Sequence, residues 1–465
     1  MSSRTLVLLA AALVTTLTTL SPSAQAAAPA ERVEGKLPSG ATYLMDMPAD
    51  WNGTVLLFSH GYRTVGDPNP AQNAPTPDVQ QRLVDAGYAL IGSSYASSGW
   101  AVTDAVPDQL ATLDEFTQRF GEARRTIAWG RSYGGLVTTA LAERHADRFD
   151  GSLSMCGLVQ GGVANWNSTL DPVFALRTLL APDSGIQLTG FADQAAAKSA
   201  ASALSAKVTD AQRTPEGRAR IALASALHNI PGYSDASQPA PGPTDWDTQQ
   251  ANQYAAVTGL ILSPASIRRQ EAESRAGGNV SWNTGVDYTR MLRGSSVYKE
   301  VTELYKKAGL SLRDDLKTLN KAPRISADPA AVKWMSRTSS FTGRLTDPQL
   351  NIHTTGDGLV PVQVENAYRQ AANAAGSGKL LSQAYVDAPG HCTFNTVETI
   401  AALHTLEHRL DTGRWDTSAR ILNSRAAQED SATPARYVTY RPTQYPRPYD
   451  LARNHASTPP GAARP

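Results

Sequence analysis

Three short stretches carry residue types that together can perform acyl transfer. The first, "WGRSYGG", runs from Trp129 to Gly135; it ends an apolar run and opens an alanine- and leucine-rich one. Glycines two residues either side of Ser132 let the backbone turn tightly without a Cβ clash, so the hydroxyl stands clear. A serine hydroxyl is a poor nucleophile at neutral pH. It needs a base within hydrogen-bond reach, itself oriented by an acid. "HTTGDGLVPV" supplies Asp357 and "APGHCTF" supplies His391. Each residue also has an ordinary use: Ser132 as a helix cap, Asp357 as a turn aspartate, His391 as a surface or zinc-binding histidine. Asp347 and Asp387 compete with Asp357. His404 and His408 fall inside a helical pattern, and His353 lies within a strand, where it reads as packed or paired. Taken jointly and in chain order, the catalytic reading outweighs the ordinary ones. A metal site would want His, Asp or Cys clustered at short spacing, and none is evident, so neither metal nor cofactor is expected.

These residues need elements to position them. Apolar runs at "TYLMDMP", 53–59, 88–95, "RTIAWG", 151–157, 348–357 and "LLSQAYVDA" lack strict alternation, which suits strands covered on both faces. Helical patterns such as "PDVQQRLVDAG", "DQLATLDEFTQRFG" and "PVQVENAYRQAANAAG" separate them. Strand alternating with helix predicts βαβ units and a mainly parallel sheet. Ser132, Asp357 and His391 then all lie at the carboxyl ends of strands, where open α/β folds place their sites.

The expected organisation is a signal peptide over 1–26, a sheet domain over 27–160 and 346–412, a helical insert over 161–345 and a Pro-rich tail over 413–465. Arg4, an uncharged apolar run of 15 residues and Ala24-Gln25-Ala26 fit a secretory signal cleaved after Ala26, with no membrane anchor left in the mature chain. With 43 basic against 42 acidic residues, the balance argues against a nucleic-acid or anionic-membrane partner. Export makes one disulfide the natural use of Cys156 and Cys392, two buried thiols being the alternative.

"WGRSYGG", "HTTGDGLVPV" and "APGHCTF" resemble the three catalytic segments of the α/β-hydrolase superfamily, in the same order Ser, Asp, His. The resemblance covers about 40–160 and 346–412. It implies a mainly parallel sheet flanked by helices, with the insert as a helical lid. "LLFSHGYR" is similar to that family's His-Gly oxyanion loop. By this likeness the backbone N–H groups of Tyr62 (or Gly61) and Tyr133 hold the oxyanion, each lowering the barrier by about 3 kcal/mol. In that fold both cysteines reach the active edge of the sheet, so a Cys156–Cys392 bridge would pin the histidine loop. Secreted tannases and feruloyl esterases also bridge beside the histidine, but to a cysteine just before the nucleophile, where this chain has Arg131.

The expected function is secreted hydrolysis of a small, uncharged ester or amide, ester first, through an acyl-enzyme. The insert aromatics Trp166, Phe174, Phe191, Trp246, Tyr254, Trp282, Tyr288 and Trp334 either line its pocket or form the insert's own core. The rivals are a secreted exopeptidase, since "GRSYGG" resembles prolyl-peptidase elbows, an acyltransferase, and a catalytically silent binding protein on the same scaffold.

Overall fold

The computed structural model describes residues 31–449. The expected signal peptide over 1–26 lies outside the described residues, as does 450–465. Nine strands form one sheet: β1 (Glu31–Lys36), β2 (Thr42–Met47), β3 (Thr54–Ser59), β4 (Ala89–Ser93), β5 (Arg125–Arg131), β6 (Gly151–Met155), β7 (Gln349–Gly356), β8 (Leu381–Pro389) and β9 (Tyr437–Val438). Their spatial order is β1-β2-β4-β3-β5-β6-β7-β8-β9. β4, β3, β5, β6, β7 and β8 run parallel, whereas β1, β2 and β9 pair antiparallel at the two edges. That order, with a parallel centre, is the α/β-hydrolase sheet.

β3 shows why the central strands do not alternate. Val55 and Leu57 enter the core on one face, Leu56 and Phe58 the core on the other, and all four are buried. Both faces are dry because helices cover both. α1 (Pro77–Asp85) starts where Thr76 accepts from the Val79 N–H and Pro77 presets the first turn. Its Val79 and Leu83 pack with Leu56 and Phe58. α2 (Val102–Phe120) and α3 (Tyr133–Arg144) bring Val102, Phe116, Leu136 and Val137 to the opposite face. α2 begins before the expected pattern and carries Pro107 within it.

Between β6 and β7 the chain folds into helices, beginning with α4 (Gly162–Leu180). This insert has a core of its own, where Phe174 and Tyr288 stack at 5.6 Å among Leu170, Leu223 and Leu304. Two π-helical turns, Val257–Ile261 and Pro264–Arg268, overlie the sheet's active edge. After β8 and its helix Thr396–Thr412, the helix Ala419–Glu429 packs on the sheet and β9 extends its edge. Further on, the Tyr445 hydroxyl donates to Ala164 O at 3.2 Å, and Arg447 binds both oxygens of buried Asp171 on α4 at 2.9 and 2.8 Å. Among the described residues no helix is long and apolar enough to cross a membrane.

Candidate active site

Ser132 sits between β5 and α3 with φ 60° and ψ −124°, left-handed backbone that a side-chain-bearing residue holds only under constraint. The constraint comes from its neighbours. A Cβ on Gly134 would run into the Ser59 carbonyl, and one on Gly130 would lie 2.6 Å from Thr138 Oγ1. The two glycines therefore let α3 start hard against β3 and β5. The Ser132 N–H donates to Met155 O at 2.9 Å, and its carbonyl accepts from the Gly135 N–H at 2.8 Å.

Across the sheet edge, β7 and β8 deliver the other two expected residues. His391 Nε2 is 2.7 Å from Ser132 Oγ, and its Nδ1 is 2.6 Å from Asp357 Oδ2. Asp357 is buried, and its Oδ1 accepts the N–H groups of Leu359 and Val360, both at 2.9 Å. Burial works against its charge, but the His391 and His353 imidazoles outweigh that and hold its carboxyl well below the usual range. The competing residues go elsewhere. Asp387 accepts from the Thr355 hydroxyl and Asp347 from Thr346. His404 and His408 pair with Glu429 and Asp416.

His353 is paired within its strand, as its position suggests, but its partners tie it to the site. Nδ1 lies 3.0 Å from Glu365 Oε1, while Nε2 lies 2.9 Å from Val360 O and 3.4 Å from Asp357 Oδ2. Burial favours the neutral ring, yet hydrogen bonds and charge from Asp357 and Glu365 prevail and raise its pKa to about 10. At neutral pH the ring is an imidazolium between two carboxylates. Glu365 is held in turn by Asn351 and Gln383.

Gly61 closes in beside the serine: a Cβ there would lie 3.6 Å from Ser132 Cβ. His60 anchors this loop, stacked on Tyr95 at 4.0 Å with its Nε2 3.0 Å from Ser94 O. The rings of Tyr62 and Tyr133 meet edge to face at 5.9 Å. Tyr133 is the first residue of α3, where a backbone N–H has no acceptor within its own helix. Cys156 and Cys392 form a disulfide with Cα atoms 5.5 Å apart, and Cys392 Sγ is 3.4 Å from His391 Nε2. Cys156, His391 and Cys392 cluster as metal ligands would, but both sulfurs are spent in the bridge.

A cavity under the π-helical turns opens onto Ser132 and is walled by Tyr62, Trp100, Tyr133, Trp166, Leu260 and Leu359, with Arg268 at its border. Of the eight insert aromatics singled out from sequence, Trp166 alone lines it; the others pack elsewhere. Trp100 and Arg268 escape sequence reading, since neither stands in a motif and only the folded insert brings Arg268 to Ser132. A second hollow behind the elbow is lined by Arg131, Cys392 and the first turn of Thr396–Thr412.

The prolyl oligopeptidase family matches this chain over residues 88–209, which include Ser132 but neither Asp357 nor His391. The chain is 29% identical over 429 residues to an o-phthalyl amidase of Xanthobacter agilis, covering 87% of this chain and 93% of that one. Among solved structures it is similar to feruloyl esterase B from Aspergillus oryzae, with 12% identity, a TM-score of 0.41, and 83% and 81% of the two chains covered. An acylaminoacyl peptidase in complex with Z-Gly-Gly-Phe-chloromethyl ketone also matches, with 12% identity and a TM-score of 0.37; the match covers 91% of this chain but only 43% of that one. The sheet order is that of the α/β-hydrolase fold, and the chain is similar to the prolyl oligopeptidase family over the segment that holds Ser132 and to an amidase over most of its length.

Proposed function

We propose that the protein cleaves a carboxylic amide or ester through an acyl-enzyme on Ser132. The observation that carries this reading is the unbroken hydrogen-bonded series Ser132–His391–Asp357 at the mouth of a cavity walled largely by aromatic and aliphatic side chains. As Ser132 Oγ attacks the substrate carbonyl carbon, its proton passes to His391 Nε2 and the carbonyl electron pair moves onto oxygen. Asp357 holds the ring orientation and stabilises the imidazolium. The N–H groups of Tyr62 and Tyr133 receive the oxyanion. Collapse breaks the bond to the leaving group, which takes the proton from His391. Water then attacks the acyl-enzyme by the same route, and the acid departs.

The amidase relative, similar over most of the chain, moves the preferred bond from ester to amide. An exopeptidase that grips a free amino terminus needs acidic groups at its site, and no carboxylate borders this cavity among the described residues. The expected export fits the disulfide. A fluorophosphonate should label the protein at Ser132, and Ser132→Ala should abolish the label. Folded protein that takes no label refutes the reading. Matched aryl amides and p-nitrophenyl esters then rank the two bonds by kcat/KM.

A further inference from the structure

One cation at the active cavity has no anion among the described residues. Arg268 ends the second π-helical turn and borders the cavity that holds Ser132. Its guanidinium lies 4.8 Å over the Tyr62 ring, and among the described residues it makes no ion pair. Neighbouring cations differ. Arg269 donates to Ala265 O and Trp166 O, both at 2.9 Å, and faces Glu273 at 3.7 Å. Arg275 pairs with Glu271 and Asp104. Glu271, one turn beyond Arg268, is committed to Arg275 and to the Trp100 N–H at 2.7 Å, so it leaves Arg268 uncompensated.

Among the described residues, Arg268 is therefore the sole charged side chain on a wall otherwise built of neutral and aromatic groups. Burial works against its charge, and the only electrostatic support comes from Tyr62. A half-buried guanidinium with no acceptor for its donors among the described residues is open to an arriving anion, and carboxylate is the acceptor its planar fork matches best.

We propose that Arg268 binds a free carboxylate on the acyl part of the substrate, so the preferred substrate is an aromatic dicarboxylic acid monoamide. This rests on the acyl-enzyme reading above. Trp100, Trp166 and Tyr62 supply the faces that would flank an aryl ring. The o-phthalyl group in the relative's name has two acyl carbons on adjacent ring atoms, so its monoamide carries such a carboxylate. This proposal departs from the uncharged substrate expected from the sequence.

The test compares kcat/KM for 2-carboxybenzanilide, its methyl ester and benzanilide in the wild type, Arg268→Gln and Arg268→Lys. The wild type should favour the free acid over benzanilide by about ten- to hundredfold, the worth of a charge-assisted hydrogen bond. Arg268→Gln should bring that ratio to about one, and Arg268→Lys should keep part of it. Phthalate should also inhibit the wild type at least tenfold more tightly than benzoate, a reading that needs no variant. An unchanged ratio in Arg268→Gln, or equal inhibition by the two acids, overturns the proposal. So does a stronger preference for hippuric acid (N-benzoylglycine), which carries the carboxylate on the leaving group. Fluorophosphonate labelling separates the failures: labelled Ser132 without carboxylate preference sinks this inference alone, and absent labelling sinks the acyl-enzyme reading.

Discussion

Asp357 presents one oxygen to two imidazoles, and the two contacts do different work. In the proposed mechanism the 2.6 Å contact to His391 aligns the base, while His353 fixes the carboxylate from behind. Asp357→Asn keeps the shape but inverts one hydrogen bond, and should lower kcat by about 10³–10⁴-fold with the fold intact by circular dichroism. His353→Gln should lower kcat more than it raises KM, because it frees Asp357 while His353 itself lines no part of the cavity. Its pH signature is specific. The groups facing the ring are Asp357 and Glu365, and its pKa is raised from 6.5 to about 10. A raised pKa means stabilisation that is complete below about pH 6.5, declines as pH rises and is gone above about pH 10. Urea midpoints should fall over that window in the wild type, and the fall should flatten in His353→Gln. Ser132, Asp357 and His391 are legible in the sequence because each must sit in a glycine-bearing turn at a strand end. Their dependence on His353 is not legible: a strand histidine gives no sign of which carboxylates will flank it.

The elbow and the disulfide are where elements meet most closely. Gly134 lets α3 begin against the Ser59 carbonyl, so Gly134→Ala must push the helix from the sheet. Overpacking of this kind costs about 1–3 kcal/mol, and a urea-denaturation midpoint would register it alongside lost activity. The bridge holds two backbone positions with positive φ, Cys156 at 44° and Cys392 at 58°, the latter next to His391. In the double Cys156→Ser, Cys392→Ser variant, kcat should fall as well as Tm, because the histidine loop loses its tether. A drop in Tm alone would mean the bridge serves only stability. Strands β2 to β8 are readable because each carries an apolar stretch without strict alternation, buried throughout in β3, β4 and β6. β1 and β9 are not: β1 turns only Val33 inward, and β9 is two residues long.

At the scale of the molecule, the insert and the tail hold each other. Arg447 grips Asp171 of α4 from the far end of the chain, and Tyr445 packs nearby. Asp171 is fully buried, so Arg447→Met would strand a charge and should destabilise the protein by about 3–5 kcal/mol. Thermal melts of this variant, compared with an Asp171→Asn, Arg447→Met double variant that restores part of the loss, would isolate the pairing. The sequence presents those last residues only as a Pro-rich tail, since a single arginine among prolines does not reveal its distant partner. The Cys156–Cys392 bridge, meanwhile, spans 236 residues and encloses the whole insert in one covalent ring. A protease that cuts anywhere inside that ring opens it without releasing a fragment. Ser132 remains chained to His391 through sulfur, so the nicked protein should migrate as one species on a non-reducing gel and separate into two only after dithiothreitol.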